Sequence, residues 1–306
     1  MIKAPTVFVL GAGASKPYGF PLGQQLLDTV ANELKRGTNG AFEVSMRALG
    51  HDGQLVKEFG QCLAVCGRSS IDAFLETRRE FLAVGKAAIA RALLVYEGDQ
   101  HLSGGGQDAW YGYLFDKILM GSPEDFQRNK LTVITFNFDR SFERALFLSL
   151  RTNFNLDDAR CAELAKTIPV LHVHGQLGTP SWLLDDSSDA RPYGFSDRPR
   201  MEDDDIRVSA RQIRIVHEEI SGDVLGDAHE ALNAAKVVCF LGFGYHETNL
   251  ERLQVHKLMG KTVRGTTFGM PNGEIGKAKG GFLNVLLLDS HLDTLQFLRE
   301  TDVIHG

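Results

Sequence analysis

Short apolar runs rich in β-branched residues recur along the chain and alternate with stretches of helical periodicity. Such runs, bounded by glycine or polar residues, are typical of buried strands. The sequence predicts strands at residues 7–10, 131–136, 170–173, 236–241, 262–268 and 282–288. Because strands that alternate with helices form parallel sheets covered on both faces, we predict an α/β fold. Its expected form is a doubly wound, mainly parallel, Rossmann-like sheet.

Helical periodicity dominates much of the remaining chain. It predicts helices at residues 22–34, 70–96, 109–120 and 291–300. Ser70 is a candidate N-cap, and Gly121, Ser122 and Pro123 form a helix stop. Since strand signals are missing from about residue 37 to 130, we predict a helical insertion there.

One segment differs in composition from the rest of the chain. Residues 185–205 (DDSSDARPYGFSDRPRMEDDD) are rich in charge, proline, glycine and serine and contain few side chains suited to a core. Such segments cannot bury enough apolar surface to order themselves. We predict a mobile charged loop or a partner-binding segment here.

Composition and charge narrow the class of protein. With 306 residues, 43% of them hydrophobic, the chain is long enough for one large domain or for a core domain with a sizeable insertion. A net charge of -6 without a long basic run argues against direct binding of nucleic acid. No stretch has the length of a membrane span, and the N-terminal apolar run passes into glycines without a signal-peptide pattern. We therefore expect a soluble cytoplasmic enzyme that binds no membrane.

The four cysteines argue against a structural metal site. They lie at positions 62, 66, 161 and 239, and only the first two are close, with C-x3-C spacing. A tetrahedral zinc site needs a second pair of ligands, which the sequence lacks. We expect reduced thiols and no zinc.

The first strand runs into a loop of small residues, Gly11-Ala12-Gly13-Ala14-Ser15. Glycines let backbone amides approach a pyrophosphate, and a following helix N-terminus favours negative charge. The dinucleotide fingerprint G-x-G-x-x-G is incomplete, because Lys16 stands in place of the third glycine. A phosphate-binding loop and a tight structural turn both remain open.

Polar side chains follow the second and third predicted strands. Asn137 offers the amide groups that complement a carboxamide, and Asp139 supplies an acceptor or a charge. The alternative is that both cap a helix starting near Ser141. His174 has the residue type of a general base at neutral pH. His172 should share its sheet face, but no Glu or Cys at ligand spacing follows, so we predict no metal.

A second strand-to-glycine turn, Gly242-Phe243-Gly244, ends the run KVVCFLGFG. Ligands of open α/β sheets bind outside the carboxyl ends of such strands. Thr266 lies in a later strand and could add a hydroxyl contact, although threonine also favours strands for its shape.

In this order, GAGAS, Gly19-Phe20-Pro21, the T-x-N-x-D motif at 135–139, His174-Gly175 and Gly242-Phe243-Gly244 resemble the motifs of the sirtuin (silent information regulator-like) superfamily. The resemblance spans nearly the whole chain, as one NAD-binding domain over residues 1–306. It implies that Asn137 and Asp139 surround the nicotinamide ribose and that His174 is the catalytic base. The NAD-binding residues that it implies are Gly11, Ala12, Gly13, Ala14, Ser15, Gly19, Pro21, Gly242, Phe243, Gly244 and Thr266.

The chain departs from the protein deacylases of this superfamily, which carry a four-cysteine zinc ribbon. Between His174 and the later glycine turn at Gly242 it has only Cys239. Its helical insertion instead resembles the bacterial antiviral-defence branch, whose members cleave and deplete NAD. The resemblance implies an NAD+ glycohydrolase (NADase) that releases nicotinamide and ADP-ribose, with NAD as substrate. An NAD-dependent deacylase and a non-catalytic module that binds NAD or ADP-ribose are the alternatives.

In the implied reaction, Asn137 holds the carboxamide or the attacking water, Asp139 holds the motif and polarises the site, and His174 activates water directly or through the ribose hydroxyls. Members of this branch often act with a sensor or partner. Since little sequence follows the last predicted helix, we expect infection sensing to come from another protein or from self-assembly into a homo-oligomer. By analogy, the partner is a helicase-like ATPase, an Argonaute-like protein or a phage component.

Overall fold

The computed structural model describes residues 1–36, 40–103, 106–183, 189–194, 203–215, 222–281, 286–287 and 292–301. Most of the charged segment predicted to be mobile, at 185–188 and 195–202, lies outside the described residues. Its described parts contain a short strand at 190–191 and the start of a helix at Asp203.

The sheet has the predicted architecture. The strands are β1 (Thr6–Leu10), β2 (Leu131–Thr135), β3 (Val170–His172), β4 (Thr179–Pro180), β5 (Ala190–Arg191), β6 (Val237–Leu241), β7 (Thr262–Gly265) and β8 (Leu286–Leu287). Six of them form one parallel sheet in the order β3-β2-β1-β6-β7-β8, and β4 pairs separately with β5. Strand order reverses between β1 and β6, the place where α/β proteins bind ligands. The prediction of a doubly wound, Rossmann-like α/β fold is confirmed.

Strand β1 shows why these apolar runs form the centre of the sheet. All five of its residues are buried. Phe8 and Leu10 pack into the core on one face, whereas Val7 and Val9 pack into the core on the other. Each such side chain contributes about 1.5–3 kcal/mol when fully buried. A strand covered on both faces therefore has a continuous apolar sequence.

Helices cover the sheet and fill the region between β1 and β2. They are α1 (Ala12–Ser15), α2 (Gly23–Lys35), α3 (Ala41–Ala48), α4 (Gly53–Val65), α5 (Ile71–Leu75), α6 (Leu82–Leu94), α7 (Asp99–Ser103), α8 (Tyr111–Ile118), α9 (Pro123–Phe126), α10 (Ser141–Phe154), α11 (Asp158–Ala165), α12 (Asp203–Gln212), α13 (Gly222–Ala234), α14 (Glu247–Arg252), α15 (Asn272–Gly281) and α16 (Thr294–Glu300). Within the described part of the chain, α3 to α9 follow one another without a strand; we call them the helical segment. None of the described helices is long and apolar enough to cross a membrane.

The helix predicted at residues 70–96 is broken in two. Ser70 caps α5 as predicted, since its hydroxyl accepts from the N–H of Ala73 (3.2 Å). The break lets Phe74 of α5 and Phe81, just before α6, both pack on Phe59 of α4, with ring centroids 6.1 and 5.6 Å away. Aromatic packing thus overrides the periodicity that suggested one long helix.

A buried ion cluster ties the helical segment to the second strand-to-helix turn. Glu97, which follows α6, accepts from Arg140 Nε (2.9 Å) and from Arg191 Nη2 (2.7 Å). The side chains of Glu97 and Arg140 have no exposed surface. Arg140 also donates to the carbonyl oxygen of Gly178 (3.0 Å). Because the groups are buried, loss of one partner would leave an uncompensated charge.

Candidate active site

A cavity of about 570 Å³ lies at the carboxyl ends of β1, β2, β6 and β7. The glycine turns after β1 and β6 line it, together with Asn137, His174 and residues of α5. Leu10 pairs with both Thr135 and Leu241, so the ends of three strands lie level and their turns meet at one rim. The volume is in the range of small-molecule and cofactor sites, about 300–1,000 Å³.

The two glycine turns pack backbone against backbone. Gly13 N–H donates to the Gly242 carbonyl oxygen (2.9 Å). A Cβ on Gly13 would lie 2.8 Å from Gly242 Cα, and one on Gly11 would lie 2.6 Å from Gly242 O. Gly242 has φ 56°, in the region that favours glycine. Close contact between the two turns is therefore one physical reason why glycines occupy these positions. This agrees with the structural turn that was one of the two alternatives for the first loop.

Part of this rim can still receive an anion. The N–H groups of Gly11, Gly13 and Ala14 already donate to backbone oxygens. The N–H groups of Ala12, Phe243 and Gly244, which line the cavity, have no acceptor among the described residues. Lys16 also lines the cavity and is exposed. Unpaired amides next to a cation form a favourable site for phosphate oxygens.

The amide of Asn137 has a defined orientation. Its Nδ2 donates to the Gly11 carbonyl oxygen (2.9 Å) and to Ser15 Oγ (3.0 Å). Since a carbonyl oxygen can only accept, the amide cannot be turned over. Both amide hydrogens are then used, and Oδ1 accepts no hydrogen bond from a described residue. Asn137 can therefore offer the cavity an acceptor, suited to a carboxamide N–H or to a water.

Asp139 is buried and lies outside the residues that line the cavity. Its Oδ1 accepts from the backbone N–H of Ser141 (3.1 Å) and from the Ser141 hydroxyl. Burial raises the pKa of Asp139, opposed by hydrogen bonds from Ser141 and Ser15. Asp139 thus binds the first N–H of α10 from the residue before the N-cap, Arg140, and so holds the turn that carries Asn137.

His174 lines the cavity in an apolar setting. Its ring meets Phe136 edge to face (centroids 5.3 Å apart), and Phe136 meets Phe243 in the same way (5.2 Å). Burial, helped by the charge of Arg252 and opposed by Asn249, lowers the pKa of His174 to about 4. Its Nδ1 is buried without a hydrogen-bond partner in the described part of the chain. His174 is therefore a neutral imidazole among the residues that line the cavity.

His172 has a different environment from its neighbour. Nδ1 lies 3.0 Å from the Asn137 carbonyl oxygen and Nε2 lies 2.7 Å from Glu143 Oε1. Burial alone would lower the pKa of His172, but the charge and hydrogen bond of Glu143 outweigh it and the pKa is raised. Because both partners are acceptors, a doubly protonated ring fits the geometry. His172 supports the turn after β2.

The helical segment contributes contacts that sequence reasoning missed. Trp110 Nε1 donates to the Ala14 carbonyl oxygen (2.8 Å), which holds the first glycine turn from behind. Asp72 of α5 and Glu76, which follows α5, also line the cavity. The sequence offered no motif for these residues, because only tertiary packing brings α5 to the sheet edge.

The other predicted binding residues are placed as follows. Thr266 lines the cavity and accepts from Gly242 N–H (2.8 Å), so it supports the second turn. Ala14 and Ser15 are buried behind the lining residues. Gly19 and Pro21 are not among the lining residues; Gly19, with φ 90°, lies against His101.

Among the described residues, no group of three or more His, Cys, Asp or Glu side chains could hold a metal ion. The four cysteines are free thiols. Cys239 is buried in β6, where burial raises its pKa.

No protein-family model and no curated protein sequence matches the chain. Among solved structures, it is similar to Sir2 bound to a propionylated peptide, with 14% identity over 97% of this chain and 91% of that one and a TM-score of 0.42. A Sir2 histidine variant with a deacetylated p53 peptide and 3′-O-acetyl ADP-ribose matches with 14% identity, 97% and 92% coverage and a TM-score of 0.40. A mutant Sir2 homologue in complex with 2′-O-acetyl ADP-ribose matches with 14% identity, 98% and 90% coverage and a TM-score of 0.43. The strand order and parallel register by themselves establish the Rossmann-like fold class of this chain.

Proposed function

We propose that the cavity binds NAD and that the protein hydrolyses its nicotinamide-ribose bond to nicotinamide and ADP-ribose. One observation carries the proposal: Asn137, His174 and the two glycine turns, with their unpaired N–H groups, line the same cavity. The cavity could hold any of several dinucleotides. The order of the motifs resembles that of the sirtuin superfamily, and this resemblance favours NAD.

Binding uses the charge of the pyrophosphate. The unpaired N–H groups of Ala12, Phe243 and Gly244 donate hydrogen bonds to its oxygens, and Lys16 supplies a positive charge. These contacts lie away from the reacting bond, so their binding energy serves to orient the ribose. These three N–H groups bind the phosphates in place of the N–H groups of Gly11 and Gly13. The latter two already donate to the carbonyl oxygens of Leu241 and Gly242.

The chemistry needs little beyond positioning and a base. The bond between nicotinamide nitrogen and ribose C1′ breaks, and its electron pair returns to the nitrogen, which neutralises the pyridinium. Water adds to C1′ of the oxocarbenium-like ribose. His174, which is neutral at pH 7, takes the proton of that water, directly or through a ribose hydroxyl. Asn137 Oδ1 accepts from the water or the carboxamide.

Purified protein incubated with NAD tests the proposal, with nicotinamide and ADP-ribose followed by chromatography. His174→Ala should reduce cleavage by at least about a hundredfold. His256→Ala, at an exposed histidine outside the cavity, is the matched control and should keep full activity. Cleavage that requires an acylated peptide would instead indicate a deacylase. Binding of NAD without cleavage, with or without candidate activators, would indicate a non-catalytic module.

We also propose that this activity serves bacterial antiviral defence in the cytoplasm by depleting NAD in infected cells. The helical segment and the order of the motifs, which resemble that branch, support this role. Unregulated depletion of NAD would harm the host, so we propose control by homo-oligomer assembly or by a defence partner. Plaque counts and cellular NAD, compared between the wild type and His174→Ala, test the role. Sedimentation that shows only monomer in resting and active protein would remove assembly as the switch.

A further inference from the structure

Asp72 of α5 is a half-buried acidic side chain at the ligand cavity. It lines the 570 Å³ cavity. Its Oδ1 is buried and has no hydrogen-bond partner among the described residues. A carboxylate oxygen removed from water without a donor is costly, and such groups are rare in native structures outside functional sites.

Capping of the helix does not account for this side chain. Asp72 lies in the first turn of α5, where acidic residues often cap the helix. Here Ser70 is the cap, since its hydroxyl accepts from Ala73 N–H. Ile71, Phe74 and Leu75 anchor the helix in the core. The helix therefore forms without Asp72 and holds its carboxylate at the cavity wall.

Asp72 lines the same cavity as Asn137 and His174. A carboxylate is repelled by the pyrophosphate of NAD and attracted to the positively charged nicotinamide ribose, so it suits that part of the ligand.

We propose that Asp72 contacts the substrate: its carboxylate accepts hydrogen bonds from the ribose hydroxyls next to nicotinamide and stabilises the positive charge that develops on that ribose. This inference rests on the proposed function. Asp72 forms no covalent bond; the electron pair of the broken bond goes to nicotinamide, water adds to C1′, and His174 takes the proton. A fixed negative charge in an enclosed site stabilises a cationic transition state more than the ground state.

The ionisation of Asp72 agrees with this role. Burial raises the pKa of Asp72 to about 6, opposed by a hydrogen bond from its own backbone N–H and helped by the charge of Glu76. The group is therefore ionised at pH 7.5 and can act as an acceptor. His174, with a pKa of about 4, is already neutral in the same range.

Three variants test the inference. Asp72→Asn keeps the shape and removes the charge, and Asp72→Ala removes the group. Asp116→Asn changes an exposed carboxylate of α8 outside the cavity and serves as the matched control. We expect both Asp72 variants to lower kcat about a hundredfold or more, with an unchanged or higher unfolding temperature. The wild-type profile of kcat/KM should lose activity below about pH 6, and this limb should be absent from any residual activity of Asp72→Asn.

The outcomes separate this inference from the proposed function. Wild-type kcat/KM in both Asp72 variants would overturn it, as would a loss of activity explained by a fall in unfolding temperature. If the wild type binds NAD without cleaving it, the proposed function fails. Calorimetry with NAD and ADP-ribose then tests whether Asp72 contacts the ligand. A loss of affinity of about tenfold or more in Asp72→Ala would support it, and unchanged affinity would overturn it. A wild type that binds neither ligand would overturn both proposals.

Discussion

The half-buried carboxylate of Asp72 should lower the stability of the protein at neutral pH. Its pKa rises from 3.8 to about 6 in the fold. A group with a raised folded pKa contributes stability that is present below about pH 4 and is lost as the pH rises through 6. The difference of about two pH units corresponds to about 3 kcal/mol at about 1.4 kcal/mol for each unit. Partial exposure of the residue reduces the expected effect to about 1–3 kcal/mol.

Asp72→Asn removes this penalty. We therefore expect the variant to exceed the wild type in free energy of unfolding by about 1–3 kcal/mol at pH 8, with no comparable gain at pH 4. Urea unfolding of both proteins at the two pH values measures the difference, and groups common to both proteins cancel. Asp116→Asn should show no such dependence on pH, since Asp116 is exposed. An equal gain at both pH values, or a less stable variant at pH 8, would refute the reasoning.

Three further predictions concern the turns and the ion cluster. Gly242→Ala should lower the free energy of unfolding by at least about 2 kcal/mol, because its Cβ would lie 2.1 Å from Ala14 N at positive φ; Gly226→Ala, in open space on α13, should be neutral or stabilising in the same urea assay. Glu97→Gln should cost about 3–5 kcal/mol by thermal or urea unfolding, because the buried Arg140 loses its counter-charge and Arg191 keeps only Asp205, at 3.5 Å; an unchanged midpoint would contradict this. Lys16→Ala should weaken NAD binding about threefold to tenfold in calorimetry, less at high salt, and salt-independent loss would argue against a charge contact.

Much of the fold could be predicted from local sequence, because the central strands are buried on both faces. Such strands must be continuously apolar, and β1, β2 and β6 lie within two residues of their predicted bounds. The break between α5 and α6 could not be predicted, since it depends on Phe74 and Phe81 meeting Phe59. Periodicity describes one helix at a time and carries no information on its partners.

Some residues of the candidate site could be predicted from the sequence and others could not. Asn137 and His174 could be identified because parallel strands deliver their carboxyl-terminal residues to one edge. The hydrogen bonds of Asn137 to Gly11 and Ser15 could not, because the partners are more than a hundred positions away in the chain. Asp72 could not be identified either, since no local pattern marks a side chain that reaches the site by tertiary packing.

The hydrogen bond from Trp110 to Ala14, together with the Glu97 cluster, has a consequence for how the protein opens. The helical segment holds the first glycine turn and the turn after β2 through buried polar contacts. Parts of a protein joined in this way exchange their amide hydrogens together rather than separately. We therefore expect the helical segment and the ligand-binding rim to unfold as one cooperative unit. A change that destabilises the helices should then also destabilise the first glycine turn.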